Sequence, residues 1–228
     1  MGEFNIEKKL IVDTAKKLVE KGYLMATGGN LSVRIKGKDL FAVTPSNYDY
    51  MKMTVDDVCV LDFDLKVLEG HLKPSVESSF HAAVYQIRGD VNAIIHTHQV
   101  YASALTTINA PIPALFDEQA RFLGRSVDII PYGPSGTFIL KNNVAKHVKN
   151  KNNAYLMRNH GALVFGHDME RVVGNVEILE KCAMAYLLAL CSERKLTKIP
   201  LLVREIAFAK LRQDQKKIES GRTDLGGE

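Results

Sequence analysis

The chain has 228 residues, of which 46% are hydrophobic and 25% charged, with 16 glycines and 7 prolines. That composition excludes collagen-like, low-complexity and disordered classes and fits a globular protein able to bury a sizeable core. The net charge of +4, from 30 basic and 26 acidic side chains interspersed along the chain, is too small to point to nucleic acid. Cys59, Cys182 and Cys191 stand too far apart for a CxxC metal or redox motif and suit a reducing cytoplasm. The opening residues, MGEFNIEKKL, lack the apolar core of a secretory leader. The apolar stretch from Ala183 to Leu190 is far shorter than the ~20 residues a membrane helix needs. A cytoplasmic protein with no membrane or nucleic-acid partner is the expectation.

In chain order, apolar side chains at Leu10, Ile11, Ala15, Leu18 and Val19 recur with a helical period over Ile6 to Lys21, and Gly22 suits the C-cap. A Gly-rich turn, Thr27-Gly28-Gly29-Asn30, precedes a strand over Leu31 to Ile35. A hairpin turn at Lys36 to Asp39 leads into a strand over Leu40 to Val43, which Pro45 ends. Val58 to Phe63 reads as a third strand and Leu65 to Leu68 as a fourth. Ser75 is placed to cap a helix from about Val76 to Ile87, with Pro74 before it. Val91 to Ile95 is a buried-type strand, Gln99 to Leu105 begins a helix, and Pro111 and Pro113 bracket a loop. Ile129 and Ile130 read as a strand end, followed by a loop over Tyr132 to Thr137. Ala154 to Met157 and Ala162 to Phe165 form a strand pair or one interrupted strand. Asp168 caps a long helix from Met169 to about Ser192, and a last amphipathic segment runs from Leu201 to Ile218. The expected organisation is a single α/β domain over 1–228, with a C-terminal helical extension from about 193 and a frayed tail.

The chemistry concentrates in Ile95-His96-Thr97-His98. Residues i and i+2 of a strand share a face, so both imidazoles converge on one point. His160, in Asn159-His160-Gly161, is a third candidate beside another apolar run, where glycine permits close backbone approach. Three imidazoles with an open position describe a catalytic zinc or related divalent-metal site, whereas an HxH pair alone also occurs without a metal. His71, His81, His147 and His167 read as surface or helix-face residues. In Lys73-Pro74-Ser75-Val76-Glu77 the helix start offers free amide groups to an anion such as phosphate. Glu77 there is a metal ligand, a general base, or simply a first-turn acid stabilising the helix dipole. The turns Thr27-Gly28-Gly29-Asn30 and Thr44-Pro45-Ser46-Asn47 carry donors of the kind that cradle an oxyanion, or are turns and nothing more.

Taken together and in this order, TGGNLSVR at 27–34, KPSVESSFHAAVY at 73–85, HTH at 96–98 and NHGALVFG at 159–166 resemble the class II aldolase/adducin family. The match runs from about Ile6 to Leu190 and is strongest to its sugar-phosphate aldolases. The resemblance implies a three-layer α/β/α fold with a largely antiparallel central sheet, and a cyclic homotetramer with active sites between neighbouring subunits. It implies that His96, His98 and His160 hold the metal, with Glu77 as catalytic carboxylate and possible fourth ligand. Gly29, Asn30, Ser46, Asn47 and Ser75 match the positions that hold the substrate phosphate. The metal is expected to be zinc, with manganese, cobalt or iron as alternatives. The implied reaction is reversible cleavage of a ketose 1-phosphate to dihydroxyacetone phosphate and a short aldehyde. Sugar-phosphate 4-epimerases, dehydratases and decarboxylases share the family, as do non-catalytic adducin-like domains; the epimerases typically carry aspartate where this chain has Glu77. Two departures stand out. Val76 replaces the second of two serines often found before the acid. Asp117 stands where the aldolase branch places a tyrosine acting from the neighbouring subunit, so Asp117 or Glu118 is expected to contact the metal or the aldehyde end.

Overall fold

A computed structural model describes residues 3–25 and 27–221. Its strands are β1 (Asn30–Arg34), β2 (Leu40–Val43), β3 (Cys59–Asp62), β4 (Val67–Glu69), β5 (Ala93–Thr97), β6 (Ile112–Pro113), β7 (Ser126–Ile130), β8 (Ala154–Met157) and β9 (Gly161–Gly166). They form one sheet in the spatial order β4-β3-β2-β1-β5-β9-β8-β7-β6. Neighbours are antiparallel except β7 and β8, which run parallel.

The sheet separates two cores because its central strands are apolar on both faces, the pattern of a sheet covered on both sides. Leu31 and Val33, Ala93 and Ile95, Ala154 and Leu156, and Ala162 and Val164 point to one face. There they meet α1 (Asn5–Glu20), α3 (Val100–Thr107) and α5 (Met169–Cys191) through Ile11, Leu18, Leu105, Val172 and Leu179. Alternate residues, Phe41, Ile94, Tyr155, Leu163 and Phe165, meet α2 (Ser78–Ile87) and α4 (Phe138–His147) through Phe80, Val84, Leu140 and Val144. The result is the expected α/β/α architecture. The start of α5 and the end of α1 each have a local cause. The Asp168 carboxylate accepts from the Arg171 amide at 2.7 Å to start α5. The Gly22 amide returns to the Val19 carbonyl past the end of α1, with φ of +73°.

The structure corrects several expected boundaries. The helix after Pro74 begins at Ser78, not Val76, because residues 75–77 form a turn in which the Ser78 hydroxyl donates to the Ser75 carbonyl at 2.7 Å. Ser75 is therefore a turn residue and not the cap. The fourth strand starts at Val67, since Leu65 has φ of +70° and belongs to the turn. Pro113 lies in a two-residue strand instead of a loop, and α4 follows the Tyr132 to Thr137 loop where no helix was expected. The segments at 154–157 and 162–165 are two antiparallel strands joined by a hairpin. The C-terminal segment is a helix, α6 (Leu201–Glu219); the tail beyond residue 221 lies outside the described residues.

Helix α6 is tied to the body through a buried charge. Arg88 has no solvent exposure and forks onto Asp90, with Nε to Oδ1 at 2.8 Å and Nη2 to Oδ2 at 2.6 Å. Its remaining donors reach the Asn152 carbonyl and the Asn153 side chain, both at 2.8 Å, and Gln215 of α6 donates to that same Asn153 oxygen at 3.0 Å. Removing one partner of a buried pair strands the other charge. Arg88→Leu should therefore lower the unfolding free energy by about 3–5 kcal/mol, read as a drop in urea midpoint.

Candidate active site

The alternation that builds the cores also aims the histidines. Ile94 of β5 points toward α2, so His96, two residues on, does the same, and its ring stands edge-on to Phe80 with centroids 6.1 Å apart. His98 lies just past the strand end, and its Nε2 is 3.0 Å from the His96 Nε2. His160 arrives on the β8–β9 hairpin, where Asn159 takes a left-handed conformation at φ +52°. One ring nitrogen from each of the three lies within 4.8 Å of the others. Gly161 makes this convergence possible. A Cβ there would sit 2.3 Å from the Thr97 carbonyl oxygen and 2.7 Å from Cδ2 of His98. Gly29 is constrained equally, with φ of +82° and a hypothetical Cβ 2.5 Å from the His96 carbonyl oxygen.

Glu77, at the start of α2, completes the cluster. Its Oε2 is 3.4 Å from the His96 Nε2, and its Oε1 is 3.3 Å from the His160 Nε2. Asn30 of β1 donates from Nδ2 to Oε2 at 2.7 Å, whereas Oε1 is buried with no hydrogen-bond partner among the described residues. Burial works to raise the Glu77 pKa, but electrostatic interaction with the His96 and His160 imidazoles and the bond from the Asn30 amide outweigh it and hold the group below the usual carboxylate range.

These residues fit a divalent metal ion. The His96 Nδ1 lies 2.8 Å from the Ala162 carbonyl, an acceptor that obliges Nδ1 to carry the proton and leaves the Nε2 lone pair facing the cluster. Burial pushes His96 down to about 4, and burial followed by the neighbouring His160 lowers His98 as well, so both are neutral ligands at pH 7. An unpartnered carboxylate oxygen beside three imidazoles is the donor set that zinc-like ions take.

The expected phosphate positions gather at the same end of the sheet. The Ser46 amide donates to the Lys73 carbonyl at 2.8 Å and the Ser75 amide to the Thr44 carbonyl at 3.1 Å, so the two turns run side by side. The Tyr50 hydroxyl donates to the Gly29 carbonyl at 2.6 Å and ties in the third turn. Ser75 is buried, Gly29 and Ser46 are half-buried, and Asn47 is exposed with φ of +52°. The Asn30 side chain is engaged at both ends, with Glu77 on Nδ2 and His81 on Oδ1.

One expectation about a side chain is corrected, and the place of two others is fixed within the chain. His81 is not a surface residue but wholly buried, four positions after Glu77 on the face of α2 that meets the sheet. Asp117 and Glu118 lie at the opposite end of the sheet from the histidines, around a cavity of about 670 Å³ shared with Asp90, Gly166 and α6. The cause is the pairing of Pro113 with Ser126, at the end of β7 remote from Ile130 and the His160 hairpin. Glu118 pairs with Lys181 of α5, and within one chain neither acid reaches the metal cluster.

The buried histidines also set an acid limit on stability. Burial takes His81 from an ordinary value of 6.5 down to about 3. Between those values the unfolded chain binds a proton that the folded chain refuses. The stabilisation is complete above about pH 6.5 and is lost as pH falls, by up to about 1.4 kcal/mol per pH unit for one such group. His96 acts in the same direction. In urea melts of metal-free protein, the midpoint should fall as pH drops below about 6.5, with a shallower slope in His81→Gln.

Comparison with known proteins places this site in a family. The model of the class II aldolase and adducin N-terminal domain matches residues 9–187. The chain belongs to the class II aldolase/adducin family. A 5-deoxy-D-ribulose 1-phosphate aldolase of Bacillus thuringiensis is 32% identical over 79% of this chain and 84% of its own length. An L-fuculose phosphate aldolase of Escherichia coli is 35% identical over 82% of this chain and 86% of its own. A solved structure of an L-fuculose 1-phosphate aldolase superposes with a TM-score of 0.85 at 34% identity, covering 90% of this chain and 96% of that one.

Proposed function

We propose that this chain is a metal-dependent aldolase that cleaves a ketose 1-phosphate reversibly to dihydroxyacetone phosphate and a short aldehyde. The observation that carries the reading is the convergence of three imidazole nitrogens on a buried carboxylate whose Oε1 has no hydrogen-bond partner among the described residues. The aldolase names of the two relatives support it. His96, His98 and His160, with Glu77, would hold the ion, zinc in this reading. Bound there, it supplies a Lewis acid for the negative charge that develops as the C3–C4 bond breaks.

The remaining work falls to the chain itself. Glu77 moves the proton on Oε1, because Oε2 is held by Asn30. Gly29, Ser46, Asn47 and Ser75 hold the phosphate and with it the register of the reacting carbons. Asn30 belongs to the same phosphate set by position, and its side chain also bonds Glu77 and His81. A homotetramer with sites between subunits is part of this reading, and exposed Val100, Ile108, Met184 and Leu188 on and beside the packed helices α3 and α5 suit such contacts. The cytoplasm as location is supported by three free cysteines. Among the described residues no helix is long and apolar enough to cross a membrane.

The test offers zinc-loaded protein fuculose 1-phosphate, ribulose 1-phosphate and 5-deoxyribulose 1-phosphate, with dihydroxyacetone phosphate release coupled to its reduction. Release from at least one is the expected result. Epimerisation, dehydration or decarboxylation of sugar phosphates with no release from any ketose 1-phosphate would overturn the reading.

A further inference from the structure

We infer that His81 is a positioning residue for Glu77, the central link of a one-way chain of hydrogen bonds, Tyr85 to Ser32 to His81 to Asn30 to Glu77, and that it carries its proton on Nε2. The inference rests on the role given to Glu77 above.

All five side chains are buried. The Tyr85 hydroxyl is 2.7 Å from the Ser32 hydroxyl, which is 2.7 Å from the His81 Nδ1. The His81 Nε2 is 2.5 Å from the Asn30 Oδ1, and the Asn30 Nδ2 is 2.7 Å from the Glu77 Oε2. The direction of every link follows from the last. A carboxylate only accepts, so Asn30 must turn its NH₂ toward Glu77 and its carbonyl toward His81. That carbonyl also only accepts, so the proton sits on the His81 Nε2. A neutral imidazole has one N–H, which makes Nδ1 an acceptor for the Ser32 hydroxyl. Ser32 has then used its only proton and must accept from Tyr85. Reversing any link sets two donors or two acceptors face to face in the core.

The consequence for the site lies in Asn30. An amide rotated by half a turn would aim its carbonyl at the Glu77 carboxylate and push it away from His96 and His160. With its proton on Nε2, His81 reinforces the orientation that Glu77 sets, because a rotated Asn30 would turn its NH₂ against that N–H as well. Its own plane is fixed by stacking on Phe80, with centroids 4.8 Å apart and planes at 19°. Asn30 is also paired with His96 across β1 and β5, so the acid and a metal-facing imidazole are set from the same pair of strands. His81 thereby keeps Oε2 occupied and leaves Oε1 as the oxygen available for the proton.

The experiment has a spectroscopic arm and a kinetic arm. In zinc-loaded protein labelled with ¹⁵N-histidine, the His81 signals are those lost in His81→Gln, and the expected tautomer is protonated at Nε2. In the retro-aldol assay, His81→Phe keeps the ring but offers no donor. Its kcat should fall about 10- to 100-fold, as for outer partners of other metal sites, with KM changed by less than about threefold. His81→Gln restores an N–H near the Nε2 position and should return kcat to within about fivefold of wild type. A proton on Nδ1, a His81→Phe kcat within about threefold of wild type, or no recovery in His81→Gln would each overturn the inference. Should His81→Phe fail to fold, the tautomer and the His81→Gln rate decide. If wild-type protein releases no dihydroxyacetone phosphate, the aldolase reading fails by itself, and the tautomer still tests the chain of bonds.

Discussion

In Glu77→Gln, dihydroxyacetone phosphate release should fall by about 10²- to 10⁴-fold, the usual loss when a general acid–base group is removed. The substitution is nearly isosteric, so the turn at 75–77 and the start of α2 are retained. What changes is chemistry at one atom. Oε1, buried beside the His160 Nε2 without a hydrogen-bond partner among the described residues, can take and return a proton only as a carboxylate oxygen. The amide also has a second consequence. Asn30 presents NH₂ to the position of Oε2, so the new side chain must put its carbonyl there and its own NH₂ where Oε1 stood. A donor then faces the imidazole cluster. The three histidines remain, so the variant should still bind zinc. Measuring metal content beside kcat separates loss of the proton carrier from loss of the ion.

His96→Ala should fail in the other way, losing the ion first and turnover with it. His96 is wholly buried and held by the Ala162 carbonyl, so its lone pair is directed before any metal arrives. Removing a mere outer partner of a ligand commonly weakens metal binding about 10- to 100-fold, and removing the ligand itself should exceed that. The alanine variant should therefore bind zinc more than about 100-fold more weakly, by competition with a chelating dye, and turn over in proportion to the residual occupancy. His71→Ala is the control. That imidazole is largely exposed and lies 3.5 Å from Asp57, and its loss should change neither quantity.

From residue pattern alone, the legible parts of the site are those in which neighbours along the chain are also neighbours in space; His160 and Glu77, remote along the chain, join them through the family resemblance of their motifs. The pairing of His96 with His98 follows from strand geometry alone, and the sheet faces follow from the alternation of residues such as Ala93, Ile94 and Ile95. Reading the remainder required long-range pairing. His81 passed for a helix-face residue because nothing within α2 distinguishes it. The available signal lies 49 residues earlier, in Ser32, a polar side chain at an inward position between Leu31 and Val33 that must find a partner. Arg88 was silent for the same reason, since its acceptors at Asn152 and Asn153 are remote in sequence. Helix α4 was hidden because Phe138 and Ile139, its first apolar residues, face solvent, which blurs the helical period. Asp117 and Glu118 follow Ile112-Pro113-Ala114, the place from which the family resemblance has a side chain act on a neighbouring subunit's site. The pairing of Pro113 with Ser126 sets them at the far end of the sheet.

The claim on which the rest depends is that His96, His98 and His160 hold the ion that the reaction needs. The most direct measurement strips the purified protein with a chelator, adds zinc back in steps, and follows bound metal and dihydroxyacetone phosphate release from the preferred ketose 1-phosphate together. The account predicts no release at zero occupancy, a linear rise with bound zinc, and a break at about one ion per chain, as one three-histidine site requires. Full turnover in the stripped protein, or release that does not track occupancy of this site, would contradict it.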